Sequence, residues 1–266
     1  MPEIAKISGT AIGSIAKVSG TTKANIAKFA GIDKPSGSFD YGNLVTDNLY
    51  QYYDAGESSS YGGSGTTWTD IQGNHDLTLA GGPTYTSTAP AHFDFDFVND
   101  SADASQYDAS FNDMSVEIWF RAAGISSSAR YSLVSALQTS LSNRRFLLNI
   151  DRSRRLRILW FGSTGTNLGT LSPSGTTITT NTWYHLCATK SGTTSTLYLN
   201  GSSIGSTTLS SSTLGTCDVF GVAKRHLSSQ DLLNGDVAKV RIYSDALSSS
   251  EVLSNYNEEK SYFGHK

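Results

Sequence analysis

The feature that most constrains this chain is a period-two alternation of apolar and polar residues. Phe93, Phe95 and Phe97 alternate with Asp94 and Asp96, and Val116, Ile118 and Phe120 alternate with Glu117, Trp119 and Arg121. Successive side chains of an extended strand point to opposite faces, so each run predicts a strand with one apolar face. Further strands are predicted at 146–150 and 156–161 around Asp151-Arg152-Ser153-Arg154-Arg155, at 183–189 and 195–199 around Gly192, and at 219–223 and 237–243. Asn200-Gly201 predicts a tight turn. Tyr61-Gly62-Gly63-Ser64-Gly65 and Gly81-Gly82-Pro83 read as a loop and a turn. Composition agrees with an all-β chain: of 266 residues, 41 are Ser and 28 Thr, beside 25 Gly, 13 Tyr and 11 Phe. These supply aromatic and β-branched residues for strands and small polar residues for turns. One helix is predicted near the end, where Ser248 and Glu251 have capping-box spacing and Val252, Leu253 and Tyr256 share a face.

The same residues exclude several function classes. A net charge of −3 provides no global basic field, so nucleic acid is not an expected partner. There is no run of 18 apolar residues, so no membrane span is expected. The N-terminus has no charged and then apolar leader pattern, so no secretory signal is expected. Cys187 and Cys217 are too few for a disulfide scaffold or a Cys-rich zinc site. They could pair with each other or remain two buried thiols.

Residues 1–34 differ from the rest. Ile4-Ala5-Lys6-Ile7-Ser8-Gly9 recurs as Ile15-Ala16-Lys17-Val18-Ser19-Gly20 and as Ile26-Ala27-Lys28-Phe29-Ala30-Gly31, a period of 11 residues. Such a period can mark a right-handed helical supercoil. Gly9, Gly20 and Gly31 argue against that, because Gly costs about 1 kcal/mol relative to Ala inside a helix. Short extended pieces joined by turns are predicted instead. The segment carries net +3 against −6 for the remainder. Three short repeats bury little apolar surface alone, so the segment is expected to dock on its own domain, sister subunits or a larger partner. The expected organisation is an assembly arm at 1–34, a linker at 35–48 and one large sandwich domain at 49–266. Ile4, Lys6, Ile15, Lys17, Ile26 and Lys28 are the expected anchoring residues, and a homo-oligomer is expected.

Four ordered stretches resemble the concanavalin A-like lectin/glucanase superfamily in its laminin-G-like branch. They are Leu49-Tyr50 through Gly73-Asn74, Ser115-Val116-Glu117-Ile118-Trp119-Phe120, Trp183-Tyr184-His185 with Leu197-Tyr198-Leu199-Asn200-Gly201, and Asn234-Gly235-Asp236-Val237-Ala238-Lys239-Val240-Arg241-Ile242-Tyr243 with Ala246-Leu247-Ser248. The resemblance implies a jelly-roll β-sandwich of two antiparallel sheets, and glycan binding as the usual activity. Phe95 departs from the family pattern, which has Gly after the Phe-Asp pair matched by Phe93-Asp94. The N-terminal repeats resemble those of structural proteins of tailed bacteriophages. That second resemblance implies a virion location, with the major capsid protein or other virion proteins as partners. The expected role is a capsid decoration or protrusion protein; the alternative is a tail-fibre or receptor-binding adhesin that recognises host glycans.

The chemistry points away from catalysis. Glycanases of this superfamily set Glu, Asp and Glu along one strand, and no Glu-x-Asp-x-x-Glu occurs among the six Glu residues. Asp94 and Asp96 share a strand face but read as solvent-facing positions opposite the Phe stripe. His75, His92, His185, His226 and His265 are scattered, no pair has zinc-ligand spacing, and no Gly-x-Ser-x-Gly elbow exists. No catalytic residue, metal site or cofactor is therefore assigned, although the Asp-rich stretch from Asp94 to Asp113 could supply calcium ligands. Trp68, Tyr61 and Tyr85 lie in predicted loops and are candidate glycan contacts, with Tyr107 beside them. Arg144, Arg145, Arg152, Arg154, Arg155 and Arg157 fall within 14 residues. On a hairpin, Arg152, Arg154 and Arg155 would gather at the tip as a patch for an anionic partner.

Overall fold

The computed structural model describes the backbone of residues 17–18 and 21–22, and residues 42–137, 144–225 and 231–266. The chain divides into two units, Met1–Leu44 and Val45–Lys266. In the first unit, β1 (Lys17–Val18) pairs antiparallel with β2 (Thr21–Thr22). Of the expected anchoring residues, Ile4, Lys6, Ile15, Ile26 and Lys28 lie outside the described residues, and Lys17 is described in its backbone alone.

The second unit begins at Val45, four residues ahead of the expected start. Its strands are β3 (Leu49–Asp54), β4 (Thr67–Trp68), β5 (Leu77–Ala80), β6 (Thr84–Thr86), β7 (His92–Asp96), β8 (Ser101–Ser105), β9 (Met114–Ala122), β10 (Tyr131–Leu137), β11 (Arg144–Ile150), β12 (Leu156–Phe161), β13 (Asn167–Leu171), β14 (Trp183–Ser191), β15 (Thr194–Leu199), β16 (Ser202–Thr208), β17 (Val219–Val222) and β18 (Asn234–Tyr243). Helix α1 (Ser249–Glu259) follows. Sheet I has the order β13-β12-β11-β10-β17-β8-β5-β4, and sheet II the order β16-β15-β14-β9-β18-β7-β6, with β3 also on β18. Pairings within both sheets are antiparallel, which gives the expected two-sheet sandwich. No helix among the described residues is long and apolar enough to cross a membrane.

The predicted alternation becomes the inter-sheet core. Val116, Ile118 and Phe120 of β9 and Phe93 and Phe95 of β7 meet Leu148, Ile158, Trp160 and Phe220 from sheet I, all essentially without solvent contact. Each such side chain contributes about 1.5–3 kcal/mol of burial free energy. Phe97 departs from the predicted strand: β7 ends at Asp96, whose Oδ1 accepts the Val98 N–H at 2.8 Å, and Phe97 takes φ 65°. Its ring still packs on Tyr131, with centroids 5.2 Å apart. Asn200 and Gly201, at φ 49° and 76°, make the predicted tight turn. Gly201 is required twice over there, since a Cβ would also lie 2.9 Å from Leu253 and Tyr256 of α1.

The outer face of sheet II is closed by α1. Ser248 and Glu251 form the predicted capping box. The buried residues of the helix, however, are Val252, Asn255 and Glu259, while Leu253 is 44% exposed. These polar side chains bury because the sheet presents charged partners. Glu117 of β9 is hydrogen-bonded to His185 and lies 3.3 Å from Nη1 of Arg241, and its Oε2 accepts from Asn255 at 2.9 Å. Glu259 is paired with Nη2 of Arg241 and with Lys239 Nζ at 3.0 Å, and accepts the Trp119 indole N–H at 2.7 Å. Lys239 also reaches Asp54 at 2.7 Å. Phe263 stacks on Trp119 with ring centroids 3.9 Å apart, extending the cover beyond the helix.

Burial alone would raise the Glu259 carboxyl, but attraction to Arg241 and Lys239 outweighs it and holds the group at about 2. A carboxylate held that low stabilises the fold fully above its ordinary value of roughly 4.3. The stabilisation is lost as pH falls from there through about 2. Glu259→Gln should therefore flatten the dependence of stability on pH across that window, as read by urea unfolding at stepped pH. Glu259→Ala should cost about 3–5 kcal/mol at neutral pH, because it strands Arg241 and Lys239.

Candidate functional site

With the middle of the outer face of sheet II covered, the β5–β8 end of the outer face of sheet I is the candidate site; toward β10–β12 the outward Leu137, Leu147 and Phe161 are themselves buried in a small cluster. The register places Thr78, Asp103, Gly221, Ser135, Leu147 and Leu159 in one row across β5, β8, β17, β10, β11 and β12. At the β5–β8 end lies a cleft of about 810 Å³, lined by Asn74, His75, Asp76, Asp103, Gln106 and Asp108 among others. His75 Nε2 is 3.3 Å from Asp108 Oδ1, which also accepts the Tyr50 hydroxyl at 3.0 Å. Burial, and then Asp108, raise the Tyr50 phenol to about 12, so it remains a donor. Asp103 accepts from Ser101 at 2.8 Å and faces Lys224 at 3.4 Å, and its Oδ1 is buried without a partner.

One buried carboxylate shapes the cleft wall. Asp70 accepts backbone N–H groups of Tyr52 at 2.8 Å, Gln72 at 3.0 Å, Asn74 at 3.0 Å and His75 at 3.2 Å. Its own N–H donates to Asp76 at 2.9 Å. Burial outweighs these hydrogen bonds and leaves the Asp70 carboxyl above the usual carboxylate range. Asp70 lay inside the opening motif of the sequence, but nothing in the pattern marked it as the organiser of this loop. The cleft thus offers amide, carboxylate and imidazole groups in fixed positions, the kind of donors and acceptors that sugar hydroxyls can use.

The expected glycan contacts lie elsewhere. Trp68 is fully buried against Phe93 and Tyr53, with ring centroids at 4.8 and 5.8 Å, and so has no ring face free for a sugar. Tyr61 is buried edge-on to Phe93 and to Tyr85. Tyr85 is half-buried and donates its hydroxyl to the Ala55 carbonyl at 3.0 Å. Tyr107 is buried beneath the cleft. Trp68 and Tyr85 lie on strands β4 and β6 where the sequence predicted loops, and Tyr61 and Tyr107 lie outside the strands with their rings packed into the core.

The arginine run divides. Asp151 accepts the N–H groups of Ser153 and Arg155 at 2.7 and 3.0 Å and pairs with the Arg155 guanidinium at 3.1 Å, so one of the three tip arginines is neutralised. Arg152 and Arg154 are exposed at the tip. Arg145 turns inward, donating to the Gly215 carbonyl at 3.0 Å and lying over the Phe111 ring. Arg157 projects from the outer face of β12, and Arg144 lies over Phe161.

Asp94 and Asp96 are exposed on β7, opposite the buried Phe93 and Phe95. Cys187 and Cys217 are free and buried, and burial pushes the Cys217 thiol up to about 12. Among the described residues, no three His, Cys, Asp or Glu side chains gather closely enough to hold a metal ion. His226 lies outside the described residues.

This sandwich, with one face capped and the other grooved, is of the lectin type. Residues 97–253 match the laminin-G-type family model of the concanavalin A-like lectin/glucanases superfamily, and the chain belongs to that superfamily. No curated protein matches it in sequence. Among solved structures, the binding domain of Paraclostridial Mosquitocidal Protein 1 is similar over 82% of this chain and 55% of its own, with a TM-score of 0.64 and 18% identity. The Botulinum neurotoxin type G receptor binding domain is similar over 80% of this chain and 52% of its own, with a TM-score of 0.62 and 12% identity. The Trypanosoma rangeli sialidase is similar over 82% of this chain and 34% of its own, with a TM-score of 0.58 and 15% identity. The chain thus spans between about a third and about half of these proteins, and the likeness is one of fold.

Asp70→Ala should free the wall of the cleft. Amide hydrogen exchange at Gln72, Asn74 and His75 is expected to rise by at least about tenfold, the equivalent of roughly 1.4 kcal/mol of lost local protection. Exchange in β9 and β18 should rise much less. Equal protection at 72–75 in the variant would show that the loop is held by other contacts.

Proposed function

We propose that this chain is a non-enzymatic, lectin-type recognition module that binds host glycans through the outer face of sheet I. The observation that carries this reading is the asymmetry of the sandwich. The middle of the outer face of sheet II is covered by α1, whereas the β5–β8 end of sheet I bears a cleft whose polar walls are positioned by a buried carboxylate. Hydrogen-bonding groups held in advance recognise a polyhydroxylated ligand at small entropic cost. The likeness to the Botulinum neurotoxin type G receptor binding domain and to the binding domain of Paraclostridial Mosquitocidal Protein 1 supports the recognition reading.

The 11-residue repeats supply the second part of the proposal: an arm that attaches the module, as a homo-oligomer, to a virion. Their regular Lys and Ile positions suit docking on other virion proteins. Glycan recognition favours a tail-fibre or receptor-binding adhesin, and attachment to the major capsid protein would make the chain a decoration or protrusion protein instead. Cross-linking mass spectrometry of particles through Lys6, Lys17, Lys23 and Lys28 separates the two locations.

A glycan array probed with the full chain tests the recognition reading. At least one glycan should bind tighter than millimolar, and Asn74→Ala combined with Asp103→Ala should weaken it by about tenfold or more, the worth of one or two hydrogen bonds. An array without signal beside a folded control would contradict the reading.

A further inference from the structure

Sheet I carries a second polar group of residues on the same face, away from the cleft. Ser132, Asn149 and Arg157 are direct cross-strand neighbours on β10, β11 and β12. Their sequence neighbours Leu148, Ile150, Leu156 and Ile158 point into the core, so these three point outward. Arg157 donates through Nε to Asn149 Oδ1 at 3.0 Å. That leaves Asn149 Nδ2 and Ser132 Oγ, both on fully buried residues, without a hydrogen-bond partner. Beside them stand Arg130, two residues before Ser132, and Arg225, paired with Asp231, whose carbonyl accepts the Ser132 N–H; the Nε of each is buried and likewise unpartnered.

Three guanidinium groups gathered there require a counter-charge. Asp231 pairs with Arg225 at 2.8 Å, and Asp151 is committed to Arg155 at 3.1 Å. Desolvation, and then repulsion from Arg130, lowers the pKa of Arg157. Among the described residues, the arrangement therefore holds more positive charge than its carboxylates compensate, beside orphaned donors of a kind that an oxyanion satisfies.

We propose that Arg130, Arg157 and Arg225, with Ser132 and Asn149, form an anion subsite that takes the carboxylate or sulfate group of an acidic glycan. The proposal rests on the reading of sheet I as a glycan-binding face and names the class of glycan. Planar, fork-shaped guanidinium groups suit two-oxygen recognition of either anion, and the amide N–H of Asn149 and hydroxyl of Ser132 complete its donor set. Neutral parts of the same sugar would extend toward the cleft at Asp103.

The test is titration calorimetry of the full chain with four probes: a glucuronate-bearing oligosaccharide, a sulfated galactose oligosaccharide, their neutral counterparts, and sodium sulfate. At least one acidic probe should bind about tenfold or more tighter than its neutral counterpart. Arg157→Gln should remove that difference and leave neutral binding unchanged, while Arg157→Lys should restore only part of it. In the wild-type chain the acidic preference should fall as salt rises toward about 1 M, where screening acts over roughly 3 Å. The salt series needs no variant and stands if Arg157→Gln fails to fold. Equal binding of acidic and neutral probes would overturn the anion subsite and leave the glycan-binding reading intact. Tight binding of free sulfate with no glycan preference would overturn the glycan assignment of the subsite. Absence of binding by every probe, acidic and neutral, would contradict both.

Discussion

The structure depends on one buried cation. Arg241 is 1% exposed, lies 4.7 Å over the ring of Tyr52, and has a carboxylate on either side: Glu117 from the sheet and Glu259 from the helix. A guanidinium withdrawn from water is costly unless its charge and its donors are met. Meeting them demands that α1 lie across β9 and β18 in one register, because only there do Glu259 and Asn255 reach Arg241 and Glu117 together. The network thus works as a locating device for the helix, and the apolar contacts of Val252, Trp119 and Phe263 provide the bulk of the burial around it. Lys239, Asp54 and His185 extend the same charge pattern across neighbouring strands, so five elements are keyed to one another.

That locating device has a functional consequence. A two-sheet sandwich has two outer faces, and a binding site can form on either. Here α1 and the residues after it commit the face of sheet II to structure. The face of sheet I is left to carry the Asp70-organised cleft at one end and the arginine group at the other, with Asp103 and Lys224 between them. The superfamily assignment agrees with recognition on such a scaffold, and the chemistry on the face gives it direction: hydroxyl-directed groups beside uncompensated positive charge.

Much of the fold was legible in the sequence, because period-two alternation reports which side chains share a strand face. The Phe93–Phe95 stripe, the hairpin around Asp151, the Asn200-Gly201 turn and the capping box at Ser248 are all local patterns. Alternation does not report what covers a face. Glu117 read only as a polar position opposite a core stripe, Arg241 only as part of a strand, and Glu259 as one of two acids on a terminal helix; the partnership of Glu117 with Arg241 and Asn255 joins positions more than a hundred residues apart. For the same reason Leu253 was a poor guide to the buried side of α1. Trp68 and Tyr61 misled in the opposite direction: Trp68 belongs to the short strand β4, with its ring on the core side, and the loop position of Tyr61 says nothing about whether its ring turns outward or into the core. The arginine run was visible, but Arg130 and Arg225, which complete the outer-face group, come from other strands and loops and are brought in by register alone.

The central claim is that ligands are recognised on the outer face of sheet I. Amide chemical-shift mapping by NMR of the full chain, during titration with a bound oligosaccharide, tests this most directly. The account predicts the largest shifts at Asn74, His75, Asp103, Asp108, Asn149 and Arg157, with α1 and β18 unaffected. Shifts concentrated instead around Tyr61, Tyr85 and β6–β7, or on α1, would contradict it.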